Sequence, residues 1–400
     1  MITNVEEIVY PLPTTYDVII VGARAAGASL ALFLGRKGYK VLVLDKFDSP
    51  GPKACTHVIG EVDLYERMGI KDKMESLGSP NLTRMRVEFE GHAMESDIMV
   101  TSRAISLRRE LFDSILLNEV RRLPNVVLLR QHQVTNTIKQ NGTVIGLECK
   151  TKEGEILSFK SKIVVGADGT SSLIARDCKA ASQTSISHQH SILFGYVKHL
   201  KPYPLPTMEW LWNDRDILLC NPIDNQMHCI ALIFPEEEFP QPYEDLTSFF
   251  FSRIQNAKNL GTRLKTLDLL YPVKGVRKMT SFIKQSFGEG WALVGDASAT
   301  LHPISGIGID NAIICSEFLA LELDQFFSGK KSFRLAMENY QCKRDERLYP
   351  QYEAMVQTLN LARSTPSDEA INTMQMLCTF PSLVKKIGMS SNNVYNLITK

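Results

Sequence analysis

Residues 16–46 of the chain read YDVIIVGARAAGASLALFLGRKGYKVLVLDK, and they combine two apolar runs with a glycine-rich turn. The β-branched run at residues 18–21 predicts a buried parallel strand, and residues 41–44 predict a second one. Between them, the turn that begins at Gly22 opens a helix that runs to about Lys37 and stops at Gly38. The pattern therefore predicts a strand–helix–strand unit whose helix directs its free backbone N–H groups towards an anion.

The turn departs from the G-x-G-x-x-G pattern of dinucleotide-binding units at its second glycine, which is Arg24. The positive side chain of Arg24 can contact phosphate, so the capacity to bind an anion is kept. Asp45 follows the second strand, where a carboxylate accepts hydrogen bonds from ribose hydroxyls. We therefore predict a bound dinucleotide, and a plain α/β domain without one is the alternative. The residues predicted to bind it here are Gly22, Ala23, Arg24, Ala26, Gly27, Asp45 and Lys46.

Two later stretches repeat the pattern of an apolar strand that ends in a glycine and an aspartate. Residues 163–176 read IVVGADGTSSLIAR and place Asp168 and Gly169 after a strand, followed by helix-start residues. Residues 288–313 read GEGWALVGDASATLHPISGIGIDNAI, with Asp296 at the corresponding position. Because ligands of α/β folds bind at the carboxyl ends of strands, both aspartates are predicted to lie beside the ligand.

The loop after Asp296 contains Pro303, Gly306 and Gly308 and leads into a long helix. Small residues there allow the backbone to approach a flat ring. A helix N-terminus can also stabilise the negative charge of a reduced ring. An ordinary loop before a structural helix is the alternative.

The order and spacing of these stretches resemble the FAD-binding motifs of the para-hydroxybenzoate hydroxylase-like superfamily. These are the class A flavoprotein monooxygenases, to which geranylgeranyl reductases and flavin-dependent halogenases are related. The resemblance covers about residues 16–317. It implies an α/β fold with a Rossmann-like FAD-binding domain, a β-sheet substrate region of α+β character and a helical C-terminal region.

The resemblance also implies roles around FAD. Residues 22–27 would hold the pyrophosphate, and Asp45 would hold the adenosine ribose. Residues 105–117 read ISLRRELFDSILL. In this superfamily the arginine that matches Arg109 reaches the FAD. A surface arginine is the alternative for Arg109.

For the flavin end of the cofactor, the resemblance implies that Asp296 contacts the ribityl chain and that residues 303–308 lie beside the isoalloxazine ring. Asp168 and Gly169 form the motif that these enzymes use around FAD and NAD(P)H. No second G-x-G-x-x-G unit is visible in the sequence. That absence fits class A enzymes, which take NAD(P)H transiently without a separate Rossmann domain for it.

We predict a discontinuous FAD-binding domain formed by residues 16–77, 101–178 and 271–325. Residues 78–100 and 179–270 are predicted to form a substrate-binding β-sheet region, and residues 326–400 a helical C-terminal region. Within the second part, LTRMRVEFEGHAMESDIMV predicts a hairpin with its turn at Gly91 and His92. Trp210, Trp212 and Tyr196 are candidates for an apolar substrate pocket, although strand aromatics more often belong to the core.

The composition excludes several classes of function. The net charge of +1 does not indicate a nucleic-acid partner. The chain shows no signal peptide and no apolar run long enough to span a bilayer, so we expect a cytoplasmic protein. The eight cysteines are scattered without a CxxC pair or zinc spacing, and no metal site is predicted. The expected partners are a small molecule and O2, and the oligomeric state is left open.

His57 and His302 are the candidate catalytic residues. His57 lies in PKACTHVIG (residues 52–60), shortly after the second strand, and relatives place a similar segment near the flavin. Histidine titrates near neutral pH, which suits proton transfer, but a loop histidine bound by backbone groups is an equal alternative. His302 precedes Pro303, where many relatives carry aspartate. Cys55 is as well explained by packing.

The resemblance implies an FAD-dependent monooxygenase that uses NAD(P)H and O2 to hydroxylate an aromatic or polycyclic, apolar small molecule. The alternative is a reductase or dehydrogenase of the geranylgeranyl reductase type, but the aromatic-proline motif of that family is missing. A halogenase is disfavoured because the stretch DILLCNP lacks the tryptophans of the halogenase motif. A non-catalytic flavoprotein that binds a partner through its C-terminal helices is a further alternative.

Overall fold

The computed structural model describes residues 13–60, 62–97, 104–241 and 245–361. Its α-helices are α1 (Ala25–Arg36), α2 (Val62–Arg67), α3 (Lys71–Glu75), α4 (Arg109–Arg121), α5 (Leu173–Asp177), α6 (Leu246–Asn256), α7 (Lys258–Arg263), α8 (Gly308–Phe327) and α9 (Phe333–Leu361). Four short 3-10 helices occupy Asp224–Gln226, Glu236–Glu238, Gly295–Ala297 and Pro303–Ser305. The fold is a mixed α/β architecture built on two main sheets, as the sequence predicts.

The strands of the first half are β1 (Thr15–Val21), β2 (Val41–Asp45), β3 (Val58–Ile59), β4 (Asn81–Leu82), β5 (Arg84–Phe89), β6 (His92–Asp97), β7 (Ala104–Ser106), β8 (Val126–Arg130), β9 (Gln133–Gln140), β10 (Thr143–Lys150) and β11 (Ile156–Gly166). Those of the second half are β12 (Ser182–His188), β13 (His190–Val197), β14 (Thr207–Asn213), β15 (Asp216–Pro222), β16 (His228–Pro235), β17 (Lys274–Val276), β18 (Met279–Lys284), β19 (Phe287–Gly288), β20 (Trp291–Leu293) and β21 (Ala299–Thr300).

The first main sheet has the strand order β19-β20-β11-β1-β2-β8, and β10 and β9 extend it through β11. Strand β1 pairs in parallel with β11 and β2, and β2 pairs in parallel with β8. Every residue of β2 is buried, which explains its continuous apolar run. Helix α1 packs against α4 and α8 on one face. The predicted Rossmann-like unit β1–α1–β2 is therefore confirmed.

Two glycines allow the tight approach at the end of β1. Gly22 has φ +101°, and a Cβ there would lie 2.4 Å from the carbonyl oxygen of Ala167. A Cβ on Gly27 would lie 1.9 Å from the carbonyl oxygen of Gly22. A side chain at Gly22 would push the turn away from the end of β11, and one at Gly27 would push α1 away from the turn, so both positions require glycine.

The second main sheet has the order β17-β13-β16-β15-β14-β5-β6. Helices α6 and α7 cover one face, where Leu193, Leu232 and Phe250 belong to one buried cluster. On the other face, Phe194 and Leu219 share a buried cluster with residues of α1 and α8. The sheet is therefore packed directly on the unit that carries the glycine-rich turn.

The hairpin predicted in residues 82–100 exists as β5 and β6, but its turn is one residue earlier than predicted. Strand β5 ends at Phe89 and β6 begins at His92, so Glu90 and Gly91 form the turn. Both have positive φ, +48° and +87°. This pair of angles matches a two-residue hairpin loop of the primed type, which fits the twist of the strands.

Two small sheets, β12-β18-β21 and β3-β7-β4, complete the described strands. Strand β17 of the second main sheet lies within residues 271–325, and the division into domains stays a prediction. Helix α9 packs along α8, and residues 362–400 of the predicted helical region lie outside the described part. None of the described helices is long and apolar enough to cross a membrane.

Candidate active site

Asp45 lies at the carboxyl edge of the first sheet with its carboxylate held by backbone groups. The Ala23 N–H donates to Asp45 Oδ2 at 2.8 Å, and the Phe47 N–H donates to Asp45 Oδ1 at 2.8 Å. Asp45 is 7% exposed, so these two bonds fix its orientation. Each carboxylate oxygen has a second lone pair for a further donor, such as a ribose hydroxyl. Lys46 follows directly and is exposed.

Two arginines share one carboxylate beside the glycine-rich turn. Arg109 is 6% exposed and donates from Nη2 to Asp113 Oδ1 at 3.0 Å. Burial lowers the pKa of Arg109, but the Asp113 carboxylate outweighs this effect and the pKa rises above its usual value. Arg24 Nη1 lies 3.9 Å from Asp113 Oδ2. The pair of arginines therefore keeps an excess of one positive charge at the start of α1.

A donor that lacks a hydrogen-bond acceptor shows whether the residues at this turn fit the pyrophosphate of FAD. Arg24 Nη1 is buried and has no hydrogen-bond partner within the described residues. A buried donor without an acceptor is costly, by about 1–3 kcal/mol, unless a ligand supplies one. The positive charge, this donor and the N-terminus of α1 all suit a diphosphate. The residues present fit the group that the motifs predict.

Asp168 lies just after the end of β11, next to the same turn. The Ala167 N–H donates to the Val21 carbonyl at 2.8 Å, which joins the two strand ends. Asp168 Oδ2 accepts from the Leu173 N–H at 2.7 Å and so helps to begin α5. Its other oxygen, Oδ1, is buried without a hydrogen-bond partner in the described structure. Gly169 has φ +84°, which permits the turn.

Asp296 lies in the 3-10 helix Gly295–Ala297, at the end of β20. Its Oδ2 pairs with Lys53 Nζ at 3.3 Å, and both side chains are about one-third exposed. The sequence gives no sign of this partner, because Lys53 lies in a loop 243 residues away. The pair joins the loop at residues 52–57 to the predicted ribityl contact.

The loop before α8 is stabilised by His302. The 3-10 helix Pro303–Ser305 begins at His302, whose Nδ1 accepts from the Ile304 N–H at 3.2 Å. Gly306 has φ +66° and ends this turn, and Gly308 begins α8. Helix α8 has 20 residues, so its N-terminus offers the partial positive charge that the sequence predicts.

His57 is buried, and both of its ring nitrogens have partners. Nδ1 accepts from the Arg109 N–H at 3.1 Å, so Nε2 carries the proton. Nε2 lies 2.9 Å from the Tyr196 hydroxyl and donates to it, and that hydroxyl donates to the Lys53 carbonyl at 2.9 Å. Burial, with Arg109 and Arg108 nearby, lowers the pKa of His57 to about 3. His57 is therefore neutral at pH 7.

His302 is also neutral. Burial, with His188 and His190 nearby, holds its pKa well below the usual value. Its ring meets those of His188 and His190 edge-to-face, at centroid distances of 5.0 and 6.4 Å. Within the described residues, no group of histidines, cysteines or carboxylates has the geometry of a metal site. Both candidate histidines are therefore uncharged near neutral pH.

The face of the second main sheet that packs towards the β1–α1–β2 unit is apolar and aromatic. Trp212 stacks on Phe89 at 4.6 Å between ring centroids, and Trp210 lies 6.1 Å from Trp212. All three are half-buried. Two neutral groups and one cation of this sheet bond the loop of residues 52–57. Asn221 Nδ2 donates to the Thr56 carbonyl at 3.0 Å, the Tyr196 hydroxyl donates to that of Lys53 at 2.9 Å, and Lys274 Nζ donates to that of Pro52 at 3.4 Å.

Comparison with known proteins gives a family match over most of the chain. The model of the FAD binding domain family matches residues 15–349. A 1H-pyrrole-2-carbonyl-(peptidyl-carrier protein) brominase of Pseudoalteromonas luteoviolacea is 24% identical over 325 residues, 75% of either chain. Digeranylgeranylglycerophospholipid reductase 1 of Methanococcoides burtonii is 26% identical over 311 residues, 74% of this chain and 72% of the reductase.

Solved structures share the fold. A triple mutant of the flavin-dependent brominase Bmp2 superposes with a TM-score of 0.78 at 18% identity, over 93% of this chain and 99% of its own. p-Nitrophenol 4-monooxygenase PnpA from Pseudomonas putida DLL-E4 has a TM-score of 0.77 at 16% identity, over 97% and 98%. The chain therefore belongs to the FAD-binding domain family, within the superfamily of FAD-dependent oxidoreductases that its motifs resemble.

Proposed function

We propose that the protein is an NAD(P)H-dependent FAD monooxygenase that hydroxylates an apolar aromatic small molecule. One oxygen atom of O2 enters the substrate and the other leaves as water, while NAD(P)H supplies two electrons. When bound, FAD provides the redox chemistry of this reaction. The observation that carries the proposal is the aromatic sheet face of Phe89, Trp210 and Trp212. The same sheet bonds the loop that reaches Asp296 through Tyr196 and Asn221.

The proposal gives each part of the site a physical role. Arg24 and Arg109 hold the diphosphate, and Asp45 accepts hydrogen bonds from the ribose. Asp296 accepts from the ribityl hydroxyls, and residues 303–308 lie beside the ring. The aromatic face binds the substrate by burying its apolar surface, and it excludes water from the reacting atoms.

His57 and His302 fit positioning roles better than proton transfer. The neutral His57 donates to Tyr196 and accepts from the Arg109 backbone, so it fixes the loop against the helix that carries Arg109. His302 shapes the turn before α8. A direct catalytic role for either histidine stays a prediction.

The test is a turnover assay under labelled oxygen. The flavin-loaded protein is mixed with NADPH or NADH and a panel of phenols, quinones and apolar polycyclic compounds under ¹⁸O2. We expect one compound to accelerate NAD(P)H oxidation and to gain one ¹⁸O atom. NAD(P)H oxidation that no compound accelerates, with hydrogen peroxide as the product, would contradict monooxygenation.

Two other activities have a specific observation in their favour. The reductase of Methanococcoides burtonii is the more identical of the two curated relatives named above, which favours a reductase activity. The brominase relatives favour halogenation. Mass spectrometry of the product separates the three, because a reductase adds hydrogen without oxygen in anaerobic conditions, and a halogenase needs added bromide or chloride.

A further inference from the structure

Arg130 is a cation at the edge of the cofactor sheet to which neither the motifs nor the proposed reaction gives a role. It is the last residue of β8, and its backbone is level with Asp45 in the parallel pair β2–β8. Its Nε donates to the carbonyl of Phe47 at 3.2 Å, which fixes the guanidinium over the turn that follows Asp45. On the other side of this turn, the backbone N–H of His132 donates to the Asp45 carbonyl at 3.0 Å.

The guanidinium of Arg130 is not fully satisfied by the protein. Its Nη1 is buried and has no hydrogen-bond partner, and no carboxylate in the described ranges forms an ion pair with Arg130. Burial lowers the pKa of Arg130, and the nearby Asp45 and Asp48 carboxylates oppose this effect only in part. An arginine that is half-buried without its own carboxylate, and with one N–H lacking an acceptor, is destabilising unless a ligand completes it.

The order of the strands indicates which part of a dinucleotide lies there. Along the edge, the pyrophosphate turn follows β1, Asp45, which is predicted to bind the ribose, ends β2, and Arg130 ends β8. Neighbouring strands are about 4.8 Å apart. Moving from one strand to the next therefore corresponds to moving along the ligand by about one group, from the phosphates to the ribose and then to the base. The step beyond the ribose, away from the pyrophosphate, is the adenine base.

Adenine can supply the hydrogen-bond acceptor that Arg130 Nη1 lacks. Its ring nitrogens accept hydrogen bonds, and its flat π face accepts a stacked guanidinium. We propose that Arg130 is a recognition residue for the adenosine half of FAD, which donates from Nη1 to the adenosine and packs its planar group against the base. This inference rests on FAD as the cofactor, but it does not depend on the reaction that FAD performs.

Binding of two flavins tests the proposal. The apoprotein is titrated with FAD, and with FMN, which has the flavin and one phosphate but no adenosine, by following flavin fluorescence. We expect Arg130→Met to weaken FAD binding by about 10- to 100-fold, the range for a hydrogen bond from a charged group, and to leave FMN binding unchanged. Arg130→Lys keeps the charge but loses the planar fork, so it should recover only part of the FAD affinity.

Arg121→Met is the matched control. Arg121 is exposed and lies close enough to affect the pKa of Arg130, so its removal takes away the same charge from the same region without the proposed contact. We expect its FAD affinity to stay within about twofold of the wild type. An equal loss in Arg121→Met and Arg130→Met, or an equal loss of FMN and FAD binding in Arg130→Met, would overturn the proposal.

The outcomes also separate this inference from the proposed function. If the wild-type protein binds FAD tightly and Arg130→Met binds it equally well, the role of Arg130 is refuted while monooxygenation stands. If the wild-type apoprotein binds neither FAD nor FMN, the role of Arg130 and the cofactor assignment are refuted together. Thermal unfolding of each apoprotein shows whether a variant is folded, and Arg130→Lys provides the second test if Arg130→Met is not.

Discussion

Replacing His302 with asparagine should make the stability of the protein less sensitive to acid. His302 is 1% exposed, and its surroundings hold its pKa well below 6.5. In the unfolded chain the same side chain takes up a proton as the pH falls below about 6.5. Because the folded form stays neutral while the unfolded form is protonated, the stability that His302 contributes is present above this pH and decreases as the pH falls.

The magnitude follows from the two protonation states. For a histidine that stays neutral in the fold, the free energy of unfolding falls by about 1.2 kcal/mol between pH 7 and pH 5.5. Asparagine suits the position because its side-chain oxygen can accept the hydrogen bond from the Ile304 N–H that His302 Nδ1 accepts now. We therefore expect His302→Asn to be folded at pH 7 and to lose about 1.2 kcal/mol less than the wild type on acidification.

Urea unfolding at pH 7 and at pH 5.5, followed by tryptophan fluorescence, measures this difference. His199→Asn is the matched control, because it removes a histidine whose side chain is 77% exposed and lies 3.5 Å from an Asp268 oxygen. The loss of stability on acidification should be smaller in His302→Asn than in this control. An identical pH dependence in His302→Asn and in the wild type would refute the argument that His302 is held neutral by burial.

Three more predictions concern the cofactor site and its support. Asp296→Ala should weaken FAD binding about tenfold by removing an acceptor for the ribityl chain, seen as a lower ratio of flavin to protein absorbance after gel filtration. Arg24→Met should weaken FAD binding by a similar factor, about tenfold, and make the FAD affinity less dependent on salt. Tyr196→Phe should lower the free energy of unfolding by about 1–3 kcal/mol, measured by urea titration, because the buried Nε2–H of His57 loses its acceptor. Wild-type flavin occupancy in the first two variants, or wild-type stability in the third, would contradict these roles.

The parts of the fold that the sequence predicts are those that depend on the pattern of residues within a short segment. The unit β1–α1–β2 is confirmed because two short apolar runs and a glycine turn leave few alternatives. The turn of the hairpin lies one residue earlier than predicted, because the sequence does not indicate that Glu90 adopts a positive φ of +48°. The ion pair of Arg109 with Asp113 could have been found from their spacing of four residues on one helix.

Contacts between distant parts of the chain could not be predicted in the same way. His57 and Tyr196 are 139 residues apart, and Lys53 and Asp296 are 243 apart. No periodicity of the sequence relates such positions. They come together because the second main sheet packs on the β1–α1–β2 unit. The tautomer of His57 depends on another distant contact, the hydrogen bond from the Arg109 N–H to its Nδ1, so the sequence identified the residue without revealing its state.

The loop of residues 52–57 connects the two halves of the proposed site. The second sheet holds it through Tyr196 and Asn221, the helix that carries Arg109 holds it through His57, and Lys53 reaches Asp296. These are directional hydrogen bonds, and those of Tyr196, Asn221 and His57 lie between buried groups, so displacing the loop would break several of them together. If the aromatic face binds the substrate as we propose, a substrate that displaces this loop would disturb the Lys53–Asp296 pair, and substrate binding would then be coupled to the cofactor site through the loop.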